Sequence, residues 1–195
     1  MNHGGRVDEA IETIERTFNS AEGMAYLGED VTMIQHQLQA GALAITAGCT
    51  DALVVAALLH DIGHVIGREE GEPGAAEAMA NDRDAHHDVT GARWLSRWFG
   101  PDVTEPVRLH VAAKRFLVAT EPDYAARLSD ASVHTLRLQG GPMTPDEARQ
   151  FGALGYARDA VALRRLDEAA KDGSKEAPGL DTHLDLLVKV LSNNR

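Results

Sequence analysis

Residues 50–64 read TDALVVAALLHDIGH. Thr50 or Asp51 suits the start of a helix, because a short side-chain oxygen can accept one of the unpaired N–H groups of a first turn. Every residue from Ala52 to Leu59 is then apolar. A helix without a polar face is covered on all sides, so this segment predicts the central helix of a bundle. It runs straight into His60 and Asp61. An aspartate at the mouth of a buried helix needs a partner for its charge, and a metal ion is one. Gly63 and Gly67 follow and are expected to break the helix.

Helical spacing recurs on both sides of this segment. Ile11, Ile14 and Phe18 define a helix over 7–18, and Val31, Ile34, Leu38 and Leu43 define another from an Asp30 cap to Gly48, with His36 inside it. Residues 68–84 mix Gly, Pro and charge, which predicts a long exposed loop with one helical turn at 75–80, either a lid or a plain mobile connection. Further helices are predicted over 85–99, from Thr104 through His110 and Lys114, over 129–138, from the Thr144-Pro145-Asp146-Glu147 capping sequence, and over 156–171 and 181–191. No stretch reads as a strand. The expectation is an all-α chain forming a single domain over 1–195.

Composition narrows the function. Asp and Glu total 30 against 19 Lys and Arg, a formal charge of -11, and such a surface repels nucleic acid and anionic membranes. A small anion is still allowed, since cations within a pocket outweigh a distant field screened over about 8 Å. With Cys49 alone no internal disulfide can form. The cysteine usage, and the lack of a signal-like segment or an apolar run long enough to span a bilayer, point to a cytoplasmic protein.

Histidine and aspartate fall singly on separate predicted helices: His36, His60 with Asp61, His86 or His87, His110, and Asp159 or Asp167. Imidazole and carboxylate suit iron, manganese or zinc, and no thiolate set is present. His134 and His183 read as solvent-facing.

The pattern His36, His60-Asp61 and a late aspartate resembles the H…HD…D signature of the HD superfamily of metal-dependent phosphohydrolases and oxygenases. That resemblance implies an HD-domain helical bundle with a dinuclear metal site in its core. More specific strings are YLGE at 26–29, AALLHDIGH at 56–64, HVAAKRFLV at 110–118, LSDAS at 128–132, QGGPM at 139–143 and RRLD at 164–167. Together, over nearly the whole chain, they resemble the phosphonate-cleaving mixed-valent diiron oxygenases of that superfamily.

The resemblance implies two iron ions, Fe(II) and Fe(III), held by His36, His60, Asp61, His87, His110 and Asp167, with Asp61 bridging and dioxygen as co-substrate. His87 is preferred to His86 because Gly91 stands four residues after it, and Asp167 to Asp159 because Arg164 stands three before it. Tyr26 would occupy an iron site until substrate displaces it, with Glu29 moving alongside. His64, one turn after His60, would bond substrate or shuttle a proton.

Residue spacing agrees with an anionic substrate. Ser132, Thr135 and Gln139 lie within an arc of about 60° on one helix face. Lys114 follows His110 by one turn and Arg164 precedes Asp167 by one turn, which puts two cations near the ligands. The implied substrate is 2-amino- or 2-trimethylammonio-1-hydroxyethylphosphonate, giving phosphate and glycine or glycine betaine. Tyr26, Phe116, Tyr124, Phe151 and Tyr156 are candidate aromatic walls for the trimethylammonio end. The alternative is an HD phosphohydrolase acting on a nucleotide or another phosphate ester, in which the metals activate water. Inositol oxygenase shares the metal chemistry, but its polyol substrate gives no reason for the Lys114, Ser132 and Arg164 cluster.

Overall fold

The structure is a computed structural model that describes residues 3–20, 30–69, 84 and 86–194. Tyr26, Glu29 and nearly all of the expected loop over 68–84, including its turn at 75–80, lie outside those residues. The helices in chain order are α1 (His3–Phe18), α2 (Met33–Thr46), α3 (Asp51–Leu59), α4 (Ile62–Glu69), α5 (His87–Leu95), α6 (Pro101–Thr120), α7 (Asp130–Leu138), α8 (Pro145–Gly152), α9 (Ala157–Ala169) and α10 (Leu184–Asn193). Short 3-10 turns occupy Ala125–Arg127 and Leu180–His183. Among the described residues there is no strand, and no helix is long and apolar enough to cross a membrane.

The apolar run of the sequence is the axis of the bundle. Helix α3 is surrounded by α2, α6, α9 and α10, and its residues from Leu53 to Leu59 are all buried. Each such Val or Leu contributes roughly 1.5–3 kcal/mol through removal of apolar surface from water. The main core draws Ile14, Phe18, Ala40, Leu95, Val107, Leu163 and Leu187 around this helix. A smaller one joins Leu109, Ala113, Phe151, Ala157 and Ala160 from α6, α8 and α9.

Helix ends follow local chemistry, with corrections to the sequence reading. Helix α2 is capped by Thr32, not Asp30: the Thr32 hydroxyl accepts the Gln35 N–H at 3.2 Å and the Gln35 side chain accepts the Thr32 N–H at 2.9 Å. Gly48, at φ +67, ends that stretch as expected. Thr50 caps α3 by accepting the Leu53 N–H at 3.3 Å. Helix α6 starts at Pro101, earlier than the expected Thr104, because proline at the first position has no N–H to satisfy. His183 is buried instead of solvent-facing, at the end of the last 3-10 turn.

Gly63 and Gly67 do not break the chain; both lie inside α4. The interruption comes earlier, at His60 and Asp61, and Gly63 is needed for a different reason. A Cβ there would lie 1.9 Å from the His87 carbonyl oxygen and 2.7 Å from the Gly91 nitrogen. Helices α4 and α5 cross at this point, so a bare backbone at Gly63 sets how closely His87 approaches the His60-Asp61 break. A Cβ on Gly91 would meet Gly63 N at 3.1 Å, a milder intrusion. Gly63→Ala is therefore expected to cost at least the usual overpacking penalty of about 1–3 kcal/mol. That corresponds to a melting temperature lowered by roughly 2–4 °C per kcal/mol for a chain of this size. Thermal unfolding should show Gly91→Ala less affected; equal or negligible effects would contradict this reading of the crossing.

Candidate metal centre

Two groups of three ligand-type side chains meet beside the end of α3, each with its donor atoms within 4.8 Å of one another. The first joins His36 of α2, His60 at the end of α3 and Asp167 of α9. His36 Nε2 lies 3.1 Å from His60 Nε2 and 3.3 Å from Asp167 Oδ1. The second joins Asp61, His87 at the start of α5 and His110 of α6. His87 Nε2 lies 3.0 Å from His110 Nε2 and 3.3 Å from Asp61 Oδ1. Asp61 stands between the groups. Its Oδ2 is 3.5 Å from both His36 Nε2 and His60 Nε2, while its Oδ1 faces His87 and His110.

Backbone carbonyls decide which ring nitrogens face the centre. His36 Nδ1 meets Ala170 O at 2.9 Å, His60 Nδ1 meets Ala57 O at 2.8 Å, and His110 Nδ1 meets Val107 O at 2.6 Å. A carbonyl oxygen can only accept, so these Nδ1 atoms carry the proton and the Nε2 atoms present lone pairs. His36 Nε2 and His60 Nε2 thus turn two acceptors toward each other at 3.1 Å. That arrangement is repulsive unless a proton or a metal ion sits between them.

Charge states point the same way. Burial alone would raise the Asp61 carboxyl, yet His60, the His87 hydrogen bond and further imidazole charge hold it well below the usual carboxylate range. Asp167 is likewise held low, because Arg164, then the His36 hydrogen bond, outweigh burial. Burial with the His87 and His60 charges pushes His110 down to about 3, and burial lowers His60. His36 and His87 are raised: burial opposes their protonation, but the Asp167 and Asp61 carboxylates outweigh it. In each group a carboxylate recruits a proton onto one imidazole, the place a metal's charge would take.

The other predicted residues divide. Lys114 is buried, its Nζ donates to Thr135 Oγ1 at 2.8 Å, and burial with the neighbouring Arg164 charge brings its pKa down to about 7. Gln139 Oε1 is buried without a hydrogen-bond partner among the described residues. His64 stacks on His87 at 3.9 Å, with its buried Nδ1 likewise unpartnered. Arg164 is committed more fully than the sequence implied. Its guanidinium bonds Asp167, Glu168, Tyr124 Oη at 3.0 Å and Ser132 Oγ at 3.3 Å, so it fixes a ligand as well as lending charge. Asp159 belongs to neither ligand group, and His86 is exposed, paired with Asp84.

The aromatic candidates are mostly committed to packing. Phe116 and Phe151 sit 5.0 Å apart in the smaller core with Tyr156, whose hydroxyl bonds Asp102, and the Tyr124 hydroxyl serves Arg164. Sequence reasoning missed Tyr124 in that role, and also Glu168, Lys171 and Gln39. Lys171 carried a usable signal: it follows Asp167 by the same four residues that separate Lys114 from His110.

The family model described as HD domain matches residues 13–149. This chain belongs to the HD-domain family. Among curated relatives, this HD-domain chain is 42% identical over 168 residues, 86% of its length and 83% of the relative's, to a [1-hydroxy-2-(trimethylamino)ethyl]phosphonate dioxygenase (glycine-betaine-forming) of Leisingera caerulea. It is 41% identical over 180 residues, 92% of its length and 85% of the relative's, to a hydroxymethylphosphonate dioxygenase of Gimesia maris. An uncharacterised protein of Acanthamoeba polyphaga mimivirus is 30% identical over 196 residues, 99% of this chain and 87% of the relative.

The placement of the adjacent histidines yields a direct check. His86 takes a left-handed backbone, φ +47, which sends its side chain outward as His87 begins α5 and turns inward. His87→Ala should lose bound metal in elemental analysis, whereas His86→Ala should retain the wild-type amount. The reverse pattern would put the ligand on the wrong residue.

Proposed function

We propose that the chain, acting as one domain over 1–195, uses dioxygen to cleave the carbon–phosphorus bond of a small 1-hydroxyphosphonate. His36, His60 and Asp167 would hold one iron and His87 and His110 the other, with the Asp61 carboxylate facing both groups. The observation that carries this reading is Asp61, with one oxygen directed to each imidazole pair. Two relatives named as phosphonate dioxygenases, aligned over more than four-fifths of their lengths, favour oxidation over ester hydrolysis.

A carbon–phosphorus bond offers no bridging oxygen to protonate, so oxidation of the carbon is the accessible route. A mixed-valent iron pair supplies dioxygen activation and the capacity to oxidise that carbon. The overall change balances: the hydroxyphosphonate dianion and one dioxygen give a carboxylate, hydrogen phosphate and one proton. Lys114, with Thr135 and Ser132 beside it, binds the phosphonate oxygens, and Gln139 offers a further polar group. Arg164 holds Asp167 in position and adds charge to the same wall. His64, stacked against His87, presents an unpaired nitrogen to substrate. Tyr26 and Glu29, implied by resemblance to gate oxygen activation, complete the set.

The relatives' names bracket the rest of the substrate, one carrying a trimethylamino group and one no substituent. With Phe116, Phe151 and Tyr156 used in packing, the described aromatics give the trimethylammonio end no cage of its own. The test is phosphate release from hydroxymethylphosphonate and from the 2-amino and 2-trimethylammonio 1-hydroxyethyl analogues, with and without oxygen. Release that requires both oxygen and iron, together with a mixed-valent paramagnetic signal altered by substrate, is expected. Oxygen-independent release from phosphate esters, with none from any of these phosphonates, would overturn the proposal.

A further inference from the structure

The chain just past α9 is fastened to α2 with unusual care. Ala170 offers its carbonyl to His36 Nδ1 at 2.9 Å. Two residues on, the buried Gln39 amide donates to Asp172 O and to Lys175 O, each at 2.8 Å, while its Oε1 accepts the Asp172 N–H at 3.3 Å. A glutamine that spends its amide on main-chain groups fixes where that segment runs. Lys171 lies between the two anchors.

Its ammonium is thereby set against the wall that carries Ser132. Lys171 Nζ is 2.7 Å from Ser132 Oγ, 3.5 Å from Ser129 Oγ and 3.5 Å from Glu168 Oε2. Arg164 reaches the same Ser132 oxygen at 3.3 Å, and Lys114 is bonded to Thr135 one turn further along α7. Ser132 Oγ therefore accepts from two cations, and its own hydrogen is directed to Glu168 Oε2 at 3.5 Å. Lys114, Arg164 and Lys171 thus converge on one wall, with Glu168 among them. Each cation on that wall adds more to the attraction for a doubly charged tetrahedral anion than for a singly charged one.

The geometry points to Lys171 as a third cationic contact for the phosphonate, held there by Gln39 and by the His36–Ala170 bond, and as the residue that favours a dianion over a monoanion of the same shape. This rests on the phosphonate reading above and assigns the anion's charge to a particular side chain. Arg164 is tied to Asp167 and Glu168, and Lys171, itself 3.5 Å from Glu168 Oε2, reaches the wall on a longer, unbranched stem.

The test uses iron-loaded protein and two ligands of similar shape, methylphosphonate and methanesulfonate, titrated calorimetrically into wild type, Lys171→Met and Lys171→Arg, with Lys171→Gln as a second neutral variant. Wild type should bind methylphosphonate more tightly. The neutral variants should weaken methylphosphonate about ten-fold or more, as expected for loss of a charge-assisted bond. Methanesulfonate should change much less, Lys171→Arg should recover most of the loss, and metal content should stay at the wild-type level. Equal weakening of both ligands, or no weakening of methylphosphonate, would overturn the assignment to Lys171 alone. Wild-type protein that binds neither methylphosphonate nor hydroxymethylphosphonate would overturn the phosphonate reading with it.

Discussion

The Asp61 carboxylate, caught between two pairs of imidazoles, is the constraint around which the rest is arranged. Its side chain is only 16% exposed, so water can do little for its charge, and that charge must be answered locally. One oxygen faces His36 and His60, the other His87 and His110. The break at His60 and Asp61, between α3 and α4, is where the chain presents both residues to the site. The apolar helix before the break fixes it within the bundle. Helices α2, α5, α6 and α9 then bring the remaining ligand-type residues to it.

The surroundings convert that geometry into a chemically defined set of donors. Helical or helix-terminal carbonyls at Ala57, Val107 and Ala170 fix the tautomers of three histidines, so the helix ends do electronic as well as architectural service. Arg164 secures Asp167 from behind, and Tyr124 secures Arg164. Breaking such a buried chain of charges leaves one of them uncompensated, which is costlier than the net worth of any single pair. The anionic surface and the cationic wall near Ser132 are not in conflict, because the wall is local and its field acts over the short distance that matters to a small anion.

Much of this was legible in the sequence because a few signals admit little choice. An unbroken apolar run leaves no face for water, so the centrality of α3 could be read from residues 52–59. The Thr144 and Thr50 caps and the Gly48 stop were visible because local hydrogen bonding alone dictates them. Gly63 was misread for the opposite reason. Glycine is a breaker by local propensity, but here it remains helical because the demand on it comes from another helix, fixed only by the tertiary crossing with α5. Asp30 lost the α2 cap to Thr32 since only Thr32 has Gln35 to complete a reciprocal pair. The polar wall was half visible: Lys114, Ser132 and Arg164 carry helical spacing, whereas Gln39 and Lys171 owe their roles to contacts across 133 residues or more of chain, or to a residue just outside a helix. The phenyl and phenol rings looked available for a cationic substrate only until packing claimed them.

The central claim is that Asp61 lies between two metal ions. Anomalous diffraction at the iron edge, from crystals of the iron-loaded protein, addresses it without reference to turnover. Two peaks flanking the Asp61 carboxylate are predicted, one against His36, His60 and Asp167 and the other against His87 and His110. A single peak, or iron bound away from Asp61, would contradict the account.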